Sequence, residues 1–91
     1  MIEVRIYTGD GLYVDDECVD ELLFSKIAAF DFMPRKHDLI ILDGNEFEVE
    51  MVILNLDKHK YEIYAESTRE DNKARFEATR KCYIENEWKF E

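Results

Sequence analysis

The sequence predicts an α+β domain, one amphipathic helix set against an antiparallel sheet curled into a small barrel, and three observations predict it. Apolar and polar residues alternate with period two at Ile2, Val4 and Ile6, and again from Phe47 onward. Between these stretches Val19, Leu22, Leu23, Ile27 and Phe30 fall at spacings of three and four, the mark of one helix face. After Met51 the apolar set slips by one residue, from Phe47 and Val49 to Val52, Leu54 and Leu56. A slip of that kind implies a β-bulge, which bends a strand as a barrel corner requires.

The elements follow in order within a single domain, residues 1–91. Residues 1–14 read as a hairpin, because Thr8-Gly9-Asp10-Gly11 offers turn residues between Ile2–Tyr7 and Leu12–Val14. Residues 16–31 read as the helix, with Asp15 or Asp16 capping its free N–H groups and Glu17, Asp20 and Glu21 near the positive end of its dipole. Pro34 biases the residue before it away from helical geometry and ends that element. Residues 38–66 read as a three-stranded barrel core: the apolar run Leu39–Leu42, the turn Asp43-Gly44-Asn45, a long strand bulged near Met51 and Val52, a turn at Asp57–Lys60, and a half-exposed strand Tyr61–Ala65. Residues 74–90 read as a C-terminal strand extension, since Phe76, Ala78, Cys82, Ile84, Trp88 and Phe90 all occupy even positions. A helix over 69–83 is the competing reading, resting on Ala74, Ala78, Cys82 and good helix formers between them.

Composition narrows the function. Ninety-one residues with 46% hydrophobic content fold, but offer no cleft between domains. The 22 acids against 12 bases give a net charge of −10, which disfavours direct contact with nucleic acid or anionic lipid. Residues 1–31 carry eight acids and two bases, whereas residues 67–91 carry six of each. No apolar run has the ~20 residues of a membrane span, and the start lacks a signal-peptide pattern, so a cytoplasmic location is expected. Cys18 and Cys82 match neither a disulfide framework nor a zinc pattern and are read as free thiols with packing roles.

Pro34, Asp38, the apolar strand Leu39–Leu42, Asp43-Gly44, Phe47, Val49, Val52 and the closing Tyr61–Ala65 together form a recognisable series. It resembles the small SH3-like barrels found among short bacteriophage and prophage proteins, including head-completion proteins. The resemblance covers about a third of the chain, and His37 stands where that series usually has glycine. It implies an SH3-like barrel fold, a phage or prophage origin, and the cytoplasm of a bacterial host as location.

No catalytic residue, metal ligand or cofactor is assigned. Calcium wants six to eight oxygens, but Leu12-Tyr13-Val14 interrupts the acids Asp10, Asp15, Asp16, Glu17, Asp20 and Glu21. His37 and His59 lie in polar turns away from any cysteine or acid pair, and neither cysteine has a histidine and acid in a readable relation to it. The expected role is therefore non-catalytic: a protein-interaction or structural module, in the phage context an assembly or adaptor protein, whose partner is another protein or a copy of itself. Candidate contact residues are Asp15, Asp16, Glu17, Asp20, Glu21, Tyr64 and Trp88, although Trp88 with Phe90 reads first as core packing over the barrel floor. The alternative is an acidic inhibitor whose carboxylates mimic nucleic acid toward a nucleic-acid-binding host protein. The basic group Arg69, Lys73, Arg75, Arg80 and Lys81 would allow copies to stack head to tail if it lay opposite the acidic one.

Overall fold

The computed structural model describes residues 1–91. Its elements are β1 (Ile2–Val14), β2 (Glu17–Phe30), β3 (Leu39–Leu42), β4 (Asn45–Asn55), β5 (Lys60–Ala65), β6 (Thr68–Glu70), α1 (Lys73–Glu85) and β7 (Lys89–Phe90). The fold is α+β, a mixed sheet with one helix. Strands run in the order β3-β4-β5-β1-β2-β7, with β6 also on β1. Neither end of that path meets the other, so the sheet stays open and the expected barrel does not close.

The first thirty residues depart most from expectation. Residues 2–14 form one strand where a hairpin was expected, and 17–30 form its antiparallel partner where a helix was expected. Asp15 and Asp16 are the two turn residues between them, at φ +51° and +64°. Both angles are positive, as a two-residue turn matched to the twist of a hairpin requires, and Asp tolerates them. The helix pattern lost because β2 also carries a period-two set: Leu22, Phe24, Ala28 and Phe30 face the core. A thirteen-residue strand pairing along its whole length decides between the two periods. Gly9 continues β1 instead of turning it. A Cβ there would lie 3.0 Å from the Ser67 hydroxyl and 3.2 Å from the Leu22 carbonyl oxygen, so the glycine permits close approach of neighbouring chain.

Further along, Asp43-Gly44 makes the expected tight turn at φ +54° and +79°. The bulge in β4 falls between Val49 and Met51, leaving Glu50 as the extra residue, one position before the expected site. His37 sits at φ +75° and therefore adopts the left-handed conformation that a glycine there would favour.

Residues 73–85 are helical, the competing reading, and only Lys89–Phe90 forms strand. Asn72 caps the helix by accepting from the Arg75 amide at 3.1 Å. At its other end the Glu87 amide donates to the Ile84 carbonyl at 3.1 Å and the Trp88 amide to the Tyr83 carbonyl at 3.0 Å. With Glu87 at φ +66° this is a Schellman motif, and it swings Trp88 back onto Tyr83, ring centroids 5.1 Å apart.

The helix covers one end of the sheet's inner face. Phe24 stacks on Tyr83 at 4.3 Å, and Phe47 packs against Trp88 at 5.4 Å, over Val4, Ile6, Val49 and Ile63. No helix is long and apolar enough to cross a membrane.

Candidate functional site

Three surfaces carry unspent chemistry. The first is the tip of the β1–β2 hairpin. Asp15, Asp16, Glu17, Asp20 and Glu21 are all exposed there, gathered as expected but on a turn and a strand rather than at a helix start. Arg69 is the one cation paired with them, donating to Asp16 at 2.7 Å while its guanidinium lies 4.0 Å over the Tyr13 ring. Because β6 pairs with β1, Arg69 of the basic group lies beside the acidic one instead of opposite it, while Lys73, Arg75, Arg80 and Lys81 are on α1.

The other two sequence candidates separate. Tyr64 is half-buried on the outer sheet face, stacked on Tyr7 with ring centroids 4.9 Å apart. Burial, with the charge of Glu62 adding to it, raises the Tyr7 phenol pKa above its ordinary value. Trp88 is only 5% exposed and offers no contact surface. Its indole N–H donates to Asp43 at 3.1 Å, and Asp43 also accepts from Lys26 at 2.8 Å. The Lys26 bond, chiefly, lowers the Asp43 carboxyl pKa against the opposing effect of burial. These residues brace the core.

The second surface was missed from the sequence. β3 pairs with β4 only as far as Glu48, and residues 37 and 38 extend the pairing to Val49. From Glu50 to Asn55 no strand lies on that side of β4. A groove of about 540 Å³ runs beside it, walled by Met33, Pro34, Met51, Val52 and Leu54, with Arg35, Lys36 and Glu50 at its rim. Leu54 on its wall is exposed, and Phe32, Leu39 and Ile41 are exposed along a second groove that shares Met33, Pro34 and Arg35. Reading residues 16–31 as a helix concealed this surface, since the number of strands, and hence the location of an unpaired edge, depended on it.

The third surface is a cleft of about 260 Å³ under α1, bordered by Asp10, Glu46, Glu66, Glu70, Thr68 and Tyr83 among others. Asp10 is 2% exposed. One carboxylate oxygen accepts from the Thr68 hydroxyl at 2.7 Å, and the other has no partner. Burial, aided by the charge of Glu70, raises the Asp10 pKa. Tyr83, buried with Asp10 nearby, is pushed up to about 12. The sequence signal for this site was present: Asp10 continues the inward series Ile2, Val4, Ile6, Thr8.

His, Cys, Asp and Glu side chains nowhere converge in a group of three or more that could hold a metal. The two cysteines are free and exposed, so neither has the packing role expected of it. Comparison with known proteins found no matching family model, no matching curated protein and no matching solved structure.

Proposed function

We propose that the protein is a non-catalytic interaction module that pairs the open edge of β4 with the same edge of a second copy. The observation that carries this reading is the edge itself, Glu50–Asn55, unpaired beside an apolar groove. An unpaired edge offers main-chain donors and acceptors in a row, and flanking apolar pockets add affinity. The occupant is argued from the edge's self-complementarity: an antiparallel, two-fold pairing sets Glu50–Asn55 against the same segment of the other copy and covers the exposed Met51 and Leu54 of both. An assembly or adaptor role, as in the phage proteins the sequence resembles, is compatible with such a module.

Light scattering after size exclusion tests it. The expected result is a dimer at micromolar to millimolar concentration that becomes a monomer in Leu54→Lys, whose exposed site tolerates the change. A wild-type monomer over the whole range, or a Leu54→Lys protein that remains dimeric, overturns the self-pairing.

A second reading, the acidic inhibitor of a nucleic-acid-binding protein, is favoured by one observation: five carboxylates on a hairpin tip with a single paired cation. It predicts salt-sensitive capture of a basic protein, weakened by neutralising Asp15, Glu17 and Glu21 together. Capture that is indifferent to salt removes it.

A further inference from the structure

We propose that the cleft containing Asp10 is a binding site for an aliphatic primary ammonium group. Asp10 stands on the inner face of β1 between Thr8 and Leu12, both buried, where an apolar residue would serve packing better. Its second carboxylate oxygen is buried and makes no well-formed hydrogen bond, and the neighbouring Gly11 amide is the weakest of the influences on the carboxyl. As a carboxylate the group lacks a donor there. As a carboxylic acid it lacks an acceptor if that oxygen carries the proton, and a donor if the Thr68-bonded oxygen carries it. The chain alone therefore satisfies the side chain in no protonation state, and burial makes an unmade bond costly.

The surroundings specify the missing group. Glu46, Glu66 and Glu70 border the same cleft, and no Lys, Arg or His does. Four carboxyl groups without a cation in a partly enclosed space favour a positive ligand. A metal ion would need several of them converging on one point, which they do not do. An ammonium differs in carrying three N–H donors that reach separate acceptors. Phe47 and Tyr83, also on the cleft wall, supply apolar surface for the alkyl stem behind such a group. Glu46, Glu66 and Cys82 on the rim are exposed, and their side chains can turn aside to admit the nitrogen to Asp10.

The ammonium has two sources, a free diamine or a lysine side chain of a partner polypeptide. Amide-resolved NMR titrations of the full chain with cadaverine, and separately with Nα-acetyl-lysine N-methylamide, distinguish them, with sodium chloride at matched ionic strength as reference. Saturable shifts of Gly11, Thr68, Thr79 and Tyr83 are expected with at least one amine. Tighter binding of cadaverine points to the free diamine, and tighter binding of the lysine derivative to a polypeptide. Asp10→Asn keeps the Thr68 bond and removes the charge, and is expected to weaken binding by about tenfold or more, the loss of one charge-assisted hydrogen bond. Glu70→Gln serves beside it should Asp10→Asn fold poorly, with a several-fold loss expected, whereas Glu85→Gln on the helix surface should leave affinity unchanged. Shifts that never saturate, shifts that sodium reproduces, or equal binding by the Asp10 and Glu70 variants show a cleft filled by water alone and overturn the proposal.

Discussion

The two halves of β4 turn similar apolar residues inward, Phe47 and Val49 before the bulge and Val52 and Leu54 after it, yet burial fades along the second half, where Val52 still packs against the core and Leu54 does not. Before the bulge its inward residues Phe47 and Val49 are 5% and 0% exposed. After it, on the same inner face, Leu54 is 54% exposed, although it lies opposite Tyr61 in a regular ladder. The chemistry of the inward residues does not separate them. What separates them is cover: α1 and the returning Trp88 roof the first half, and no element crosses the second. Hydrophobicity in a strand thus fixes which face turns inward, while the number of remaining elements fixes how much of that face is buried. An uncovered remainder is what an interaction module would use.

The largest expected break in this contrast is Trp88→Ala. It removes the roof and the indole bond to Asp43, and should cost about 3–5 kcal/mol in denaturant unfolding, as large-to-small changes of buried aromatics do. Phe47→Ala should behave alike.

Next come two carboxyls under or beside the roof, whose pH dependences oppose each other. Asp10 has a raised pKa, so the folded state holds its proton to higher pH than the unfolded chain. Its contribution is complete below the unfolded value near 3.8 and is lost as pH rises through the folded value. Asp43 has a lowered pKa, so its contribution is complete above that value and is lost as pH falls through the folded one. Unfolding followed from pH 2 to 7 should therefore show Asp10→Asn with a steeper rise with pH than the wild type, and Asp43→Asn with a shallower one. Equal slopes in all three proteins would sever both carboxyls from stability.

A smaller effect sharpens the account of the roof's hinge. Glu87→Gly relieves a left-handed non-glycine residue in the Schellman turn and should stabilise the protein by about 1 kcal/mol. His37→Gly, far from the roof and equally left-handed, should give a gain of similar sign. The smallest change belongs to the open half: Leu54→Ala should shift monomer stability by no more than about 0.5 kcal/mol. A cost near that of Phe47→Ala would mean that the second half is covered after all.

How much of this was legible in the sequence follows from the kind of signal each region carries. The turn at Asp43-Gly44 and the bulge in β4 were readable because residue chemistry and period speak locally there. Residues 16–31 were not, because Leu22 and Phe30 belong to both a helical and a strand pattern, and Asp15-Asp16 serves equally as a cap or as a turn. The arbiter was β1, a partner whose length was itself misread at Gly9 and Gly11. In α1 the buried residues are Phe76 and Tyr83, two turns apart, and alternating apolar residues outnumber so sparse a stripe. Asn72 was the overlooked cue. For the sites, the acidic hairpin tip was visible as a cluster of charge, and Asp10 as a break in an alternation, but the open edge of β4 depends on the full strand count.

The central position of β1 has a consequence for the order of assembly. On one side it meets β2 through a two-residue turn, and on the other it pairs in parallel with β5 and β6, whose residues lie more than fifty positions later in the chain. The hairpin can form early, but Val4–Tyr7 and Asp10–Leu12 must keep an edge free until those later residues arrive. Loop closure of that length is slow compared with hairpin formation, so folding should show a fast phase in which β1 and β2 associate and a later one in which the sheet is completed. Between the two phases the edge meant for β5 is open to any passing strand, which makes dilution during refolding the condition that favours the native pairing.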